Sequence, residues 1–333
     1  MGDRNFIKIL IMFRSRPAVL FFAFMATSFV HAQFTDVINS NRPGESMAAF
    51  SVGKTVIQAE SGVYYTKEDH ETLDYKVSGM GLDLDVRYGA FFEQLELIMN
   101  LQYQRDKVTA QLDEEKRSGF KQIILGGKYL IYDPNKNYEK KPNLYSWKAN
   151  HSFSWHEFIP AVGIYGGFHF NLSDQYLLPN EPKISPKLMI LTQNQFGKWV
   201  FVTNLIADMV TSDYMSFGYI LTITRGINER WSAFLEHQGI KGDYYSDAIF
   251  RGGAAYLFKE NFQIDASAGA NMKDTPSILT FSIGVSWRFD ENYQEVLLRA
   301  PKDDKDDKKS KAEKKKEKEA KKRKDAVEGT DGK

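Results

Sequence analysis

Residues 277–290 read SILTFSIGVSWRFD. Leu279, Phe281, Ile283, Val285, Trp287 and Phe289 fall on one face of a strand, and Thr280, Ser282, Gly284, Ser286 and Arg288 on the other. An apolar face backed by a polar one, closing on an aromatic, is the pattern of the last strand of a transmembrane barrel, whose side chains point by turns to lipid and to an enclosed interior. Yet 44 residues follow Phe289, most of them charged.

The same two-residue period recurs upstream. In VIQAESGVYY, Ile57, Ala59, Ser61, Val63 and Tyr65 oppose Gln58, Glu60, Gly62 and Tyr64. In GLDLDVRYG, Leu82, Leu84, Val86 and Tyr88 oppose Asp83, Asp85 and Arg87, and in QLELIMNLQYQ, Leu95, Leu97, Met99, Leu101 and Tyr103 oppose Gln94, Glu96, Asn100 and Gln102, with Ile98 as an exception. A hairpin turning over residues 89–94 sets Tyr88 against Leu95, Val86 against Leu97, Leu84 against Met99 and Leu82 against Leu101. It also pairs Arg87 with Glu96 and Asp83 with Asn100; a one-residue slip destroys both faces. Further strands are expected at residues 121–131, 159–170, 187–195, 199–209, 216–225, 231–239, 248–258, 262–271 and 278–289, about twelve in all, each near the length that crosses a tilted bilayer. Aromatic residues at strand ends (Tyr65, Tyr88, Tyr103, Tyr129, Trp199, Trp231, Trp287, Phe289) suit interfacial girdles and argue against a soluble sandwich or propeller. The expected fold is therefore all-β, a transmembrane antiparallel up-and-down barrel spanning residues 56–289, with short turns near Phe91, Gly197, Asn228 and Glu260 on the periplasmic side and long loops at 67–76, 105–119 and 173–183 on the other. The long connection from Tyr132 to Glu157 fits that orientation poorly.

Charge divides the chain into unlike parts. The whole carries +1, residues 1–32 carry +3 and residues 301–333 carry +4, leaving −6 on the body, so no basic face suggests nucleic acid. A basic stretch to Arg16, the apolar run Ala18–Val30 and VHA before Gln33 read as a secretory signal peptide cut after Ala32; the run is too short for a spanning helix. Residues 33–55 form a periplasmic lead-in or plug. Beyond the barrel, 290–333 is a charged tail without large apolar residues past its first dozen, expected to stay solvated in the periplasm. Cysteine is absent, which excludes disulfides, thiolate zinc sites and Cys nucleophiles.

Within the closing strand, Ser282, Gly284, Trp287 and Phe289 resemble the sorting signal read by the barrel-assembly machinery. The blocks NRPGES, VIQAESG, DVRYGAFFEQLEL, LGGKYL, PAVGIYGGFHF, GGAAYLFKENFQIDASAGAN and GVSWRF, in order from Asn41 to Phe289, resemble the outer-membrane transporter family named for the meta-pathway of phenol degradation, in its Bacteroidetes-type branch. That resemblance implies a small monomeric outer-membrane barrel acting as a transporter; the family name says little about substrate. The 132–157 connection and the tail depart from the pattern.

Alternation assigns Gln58, Glu60, Asp83, Asp85, Arg87, Glu96, Lys128, Asn204, Glu236, Arg251, Gln263, Asp265 and Arg288 to the lumen. Two readings stand: a polar path for small polar or amphipathic, even aromatic, solutes, or charges paired across strands to fill a small barrel, with Arg87–Glu96 the first such pair. Arg42, just before a proline, either folds up into the lumen as a small plug or belongs to the periplasmic lead-in. His151, Ser154, His156 and Glu157 lack an oxyanion-hole context and usual metal spacing, so neither an enzyme nor a metal or cofactor is expected. Expected partners are membrane lipid, the assembly machinery and a small solute, with the tail available to an envelope or cell-wall partner. The alternative function is a non-conducting structural barrel that works through that tail.

Overall fold

The computed structural model describes residues 38–110, 113–134, 136, 155–173 and 175–290. The signal peptide, the tail beyond Asp290 and most of the 132–157 connection lie outside the described residues.

Twelve strands follow one another: β1 Ile57–His70, β2 Tyr75–Gly89, β3 Leu95–Ala110, β4 Glu114–Tyr132, β5 Ala161–Phe170, β6 Ile184–Phe196, β7 Trp199–Asp208, β8 Ser216–Gly226, β9 Trp231–Gly242, β10 Ser246–Lys259, β11 Phe262–Asn271 and β12 Ser277–Phe289. Each pairs antiparallel with its neighbours, and β12 closes on β1 with Phe289 opposite Ile57, so no edge is left open. The end where β1 begins and β12 finishes is the near end, and the opposite one the far end. Trp199, Trp231 and Trp287 point outward at the near end, and Tyr65, Phe168 and Phe217 point outward towards the far end. Between them the outer surface is apolar: Leu97, Leu188, Leu205, Leu235, Phe281 and Ile283 are all exposed. A water-soluble protein rarely leaves such a belt uncovered.

Two sequence expectations need correction. First, the β2–β3 hairpin sets Tyr88 opposite Leu97, Val86 opposite Met99, Leu84 opposite Leu101, Arg87 opposite Ile98 and Asp83 opposite Gln102, two residues away from the register expected above. Ala90 N–H reaches Leu95 C=O at 3.0 Å, so a loop of four residues closes the hairpin instead of six. A shift of two keeps both faces, and alternation fixes only the parity of a register. Second, 67–76 and 105–119 are strand for most of their length, joined by residues 71–74 and 111–113. There the hydrogen-bonded ladder continues past the apolar belt into water, where both faces turn polar and the two-residue pattern fades. Among the described residues the 171–183 connection does lack strand, although β6 starts at Ile184, earlier than expected.

The inner wall is itself two-sided. Gln58, Glu60, Arg87, Glu96, Lys128, Glu236, Asp265 and Arg288 are buried on strands β1–β4 and β9–β12. On β5–β8 the buried lining is apolar or uncharged by type: Tyr165, Met189, Leu191, Val202 and Ile220, with His169, Ser185, Gln193, Asn204 and Thr222 among them. Inward Ile98, the exception to alternation in β3, joins Ile124, Leu130, Ala161, Tyr165, Met189 and Leu191 in a cluster around Ala49, with Met47 and Phe50 packed against it.

Candidate functional site

The occupant of that two-sided lumen is the chain's own segment before β1. Residues 38–56 form turns and bends and add no strand to the sheet. Their apolar members, Met47, Ala49 and Phe50, lie against the apolar cluster of the wall, and their backbone is held by hydrogen bonds from wall side chains around the lumen, Gln193 on β6 and Asn204 on β7 included.

Glu60, fully buried, accepts from Ser40 Oγ at 2.7 Å and from the Asn41 and Arg42 N–H groups at 3.1 Å each. Glu236 accepts from the Glu45 and Ser46 N–H groups, from Thr222 Oγ1 at 2.9 Å and from Arg251 at 3.1 Å. The segment passes so close over Glu236 that a Cβ at Gly44 would lie 2.6 Å from the carboxylate and would have to displace it. Asn204 grips Met47 by both backbone groups, accepting from its N–H at 2.7 Å and donating to its carbonyl at 2.9 Å. Gln193 Oε1 accepts from Ala49 N–H, and Glu96 from Val52 N–H, both at 3.1 Å. Gln58 Nε2 donates to Asn39 C=O at 3.1 Å and Gln263 Nε2 to Arg42 C=O at 3.2 Å.

Beneath these contacts runs a buried charge network. Arg87 donates to Glu96 at 2.6 Å, to Glu60 at 2.9 Å and to Asn39 C=O at 2.8 Å. Arg87 and Glu96 thus meet on the diagonal, although they do not face each other in the register. Lys128 lies 3.0 Å from Glu96 and spends its other donors on Ala48 C=O at 3.0 Å and Phe50 C=O at 2.9 Å. All four charged side chains are inaccessible to solvent, and an ion this deep is tolerated only when paired and fully hydrogen-bonded.

The Arg42 side chain lies among inward residues of the wall. Its guanidinium donates to Asp265 at 3.2 Å, to Asp83 and to Ser282 Oγ at 2.8 Å. Asp85 accepts from Asn100, and Arg288 reaches Asp290 at 3.0 Å. Of the thirteen residues assigned to the lumen, eight hydrogen-bond the backbone of residues 39–52, two hold Arg42, Arg251 backs Glu236, Asp85 pairs with Asn100 in the wall, and Arg288 with Asp290 just past β12. Alternation missed Gln193, Thr222 and the apolar part of the lining. Their strands are apolar on both faces or carry short hydroxyl side chains, which period two does not flag.

Solvent reaches the far part of the lumen, where Asp83, Asp85, Asn100, Gln102 and Gln122 are half-buried. Further out, beyond the apolar belt, Arg117 pairs with Asp106 at 2.9 Å and stacks over Tyr176, whose phenol is pushed up to about 12 by burial and by the Asp106 carboxylate. Of the residues singled out from the sequence as an assembly signal, Ser282 and Gly284 face inward at Arg42, whereas Trp287 is exposed on the outer surface. His169 is bonded to Asp208 at 2.7 Å, and His237 lies between the rings of Tyr219 and Phe250. His151, Ser154 and the Glu157 side chain lie outside the described residues, and His156 approaches Pro134 C=O at 2.7 Å.

The fold resembles that of the COG4313 outer membrane channel from Pseudomonas putida F1, at 14% identity and a TM-score of 0.50, over 75% of this chain and 100% of that one. Weaker likenesses include the translocator domain of the autotransporter NalP from Neisseria meningitidis (TM-score 0.44, 10% identity, 75% of this chain and 90% of that one) and the CymD monoaromatic hydrocarbon channel (TM-score 0.40, 9% identity, 71% and 89%). No curated protein sequence matches the chain. The family described as "Putative MetA-pathway of phenol degradation" matches residues 40–289, inner segment and barrel together, and the chain belongs to that family.

Proposed function

We propose that the chain is an outer-membrane channel for small polar or amphipathic solutes, closed at rest by its own residues 39–52. The observation that carries this reading is the way the segment is held. It shares no β-ladder with the wall; its backbone is held by side chains, each bond contributing about 0.5–1.5 kcal/mol net where the partner is neutral and about 1.5–3 kcal/mol where it is charged, because water replaces it on release. Such a segment belongs to the least stable part of a fold and can leave while the sheet stays closed. The apolar outer belt suits lipid, and the leader sequence suits export. On this reading the near end faces the periplasm, the tail hangs there within reach of an envelope partner, and the last strand is the part offered to the assembly machinery.

The sealed near half favours a rival, a barrel that never conducts. A disulfide lock separates the two. Ser40 Oγ and Ser286 Oγ are 2.7 Å apart and the chain has no cysteine of its own, so Ser40→Cys/Ser286→Cys places one thiol pair between segment and wall. In planar bilayers the oxidised variant should be silent, and reductant should restore openings at the parent's frequency. A parent that stays silent, together with a variant that reductant does not change, would establish the rival.

A further inference from the structure

The Arg42 guanidinium lies in a site that the wall builds from four strands. Asp83 on β2 is opposite Gly62 on β1, Gly62 is opposite Gly284 on β12, and Gly284 is opposite Asp265 on β11. These four inward positions form one row across the sheet, two carboxylates flanking a pair of glycines, with the outer Cα atoms about 14 Å apart at the usual strand spacing. A Cβ at Gly62 would lie within 2.7 Å of three guanidinium atoms, and one at Gly284 within 2.5 Å of three. The glycine pair is thus a flat floor on which a planar group lies with no side chain beneath it. Asp83 and Asp265 take donors from its two edges, and Ser282 takes a third. Asp265 is 2% exposed, yet its Oδ2 is buried with no hydrogen-bond partner, so the site has an acceptor that Arg42 does not use. Among the described residues Arg42 is also the one base in ion-pair contact with either carboxylate.

We propose that the row Asp83, Gly62, Gly284, Asp265, with Ser282, is a binding site for planar cations of the guanidinium and amidinium class, and that Arg42 is its tethered occupant. Flatness and edge donors, not charge alone, are what the floor and the two carboxylates select; a compact ammonium leaves the glycine floor uncovered and offers its donors in the wrong directions. A solute carrying such a group competes with Arg42 for the row. If the segment is the gate of a channel, as proposed above, that competition loosens it in favour of the solute the lumen then admits.

The test is a titration of the full-length chain in detergent with methylguanidinium at constant ionic strength, followed by calorimetry, with circular dichroism reporting strand content. In Arg42→Ala the row is vacated, and saturable binding should appear, at least about tenfold tighter than binding of methylammonium by the same variant or of methylguanidinium by the parent. Adding Asp83→Asn and Asp265→Asn should abolish it. Arg42→Gln, which keeps the stem without the charge, serves if Arg42→Ala does not fold, and should bind more weakly but with the same preference and the same dependence on the two aspartates. No saturable binding in either variant, equal binding of methylammonium, or binding that survives loss of both carboxylates would overturn the proposal. None of these measurements needs a conducting pore, so a silent bilayer tests the channel reading alone and a flat titration tests this one alone.

Discussion

Replacing Arg87 by methionine should be among the most damaging single changes available in this wall. The substitution keeps most of the stem volume and removes three bonds to carboxylates, two to Glu96 at 2.6 and 3.2 Å and one to Glu60 at 2.9 Å, and one to the Asn39 carbonyl at 2.8 Å. The two acids are left in different positions. Glu96 still has Lys128 at 3.0 Å and the Val52 N–H at 3.1 Å, whereas Glu60 keeps only neutral donors from Ser40, Asn41, Arg42 and Gln58 around a fully buried charge. Removing one partner of a buried ion pair costs about 3–5 kcal/mol, chiefly through the charge that stays behind. The stranded anion is Glu60, so adding Glu60→Gln to Arg87→Met should recover about 1–3 kcal/mol, a coupling of the size seen between contacting residues. Urea unfolding in lipid vesicles, followed through the five tryptophans, measures both numbers. A cost for Arg87→Met below about 1 kcal/mol, the range of an exposed pair, would show that water reaches this network and that it does not anchor the segment. A double variant worse than the single one would refute the assignment of the stranded charge.

Other expected outcomes follow from the same geometry. Leu235, 71% exposed on the outer face and four residues along β9 from Trp231, lies well inside the apolar belt; Leu235→Arg should cost about 2–4 kcal/mol in vesicles and far less in denaturant-free detergent refolding yield. Asn204→Leu removes both bonds to Met47 and should speed hydrogen exchange at the Met47 amide while leaving exchange in β7 and β8 unchanged; equal acceleration everywhere would mean that Asn204 supports the barrel and not the segment. Once Arg42 is withdrawn, Asp83 and Asp265 face the lumen without a cation, so openings of the reduced Ser40→Cys/Ser286→Cys variant should favour potassium over chloride in a salt gradient, and Asp83→Asn/Asp265→Asn should move the reversal potential towards zero.

The barrel was legible in the sequence because period two is a property of each strand by itself. Strand β12 shows it from Leu279 to Phe289, and the inward assignment of Glu60, Arg87, Glu96 and Lys128 needs nothing beyond parity. The register was not legible, since Tyr88 opposite Leu95 and Tyr88 opposite Leu97 put the same residues on the same faces, and only the four-residue loop at 91–94 decides between them. Strand lengths beyond the belt were hidden for a related reason. In Lys67–His70 and Lys107–Ala110 both faces meet water, so the ladder persists with no alternation to betray it.

The inner segment is the harder case, because NRPGES has no periodicity and its partners in the wall lie 18 to 240 positions away. A signal did exist in the wall. Of the thirteen residues assigned inward, six are acids and four are bases, and among the described residues Asp83, Asp85 and Asp265 have no wall cation in ion-pair contact. A closed lumen with surplus buried carboxylate must find donors elsewhere, and in a barrel they come from water, from a ligand or from another stretch of the same chain. The N–H groups of Asn41, Arg42, Glu45, Ser46 and Val52, together with one guanidinium, supply them here. Backbone donors cancel the deficit whatever the side chains are, so the sequence shows the deficit in the wall and conceals its remedy. The exception is Arg42, among the described residues the one member of the segment whose side chain forms ion pairs with the wall, and for that reason the residue at which a charged solute can compete.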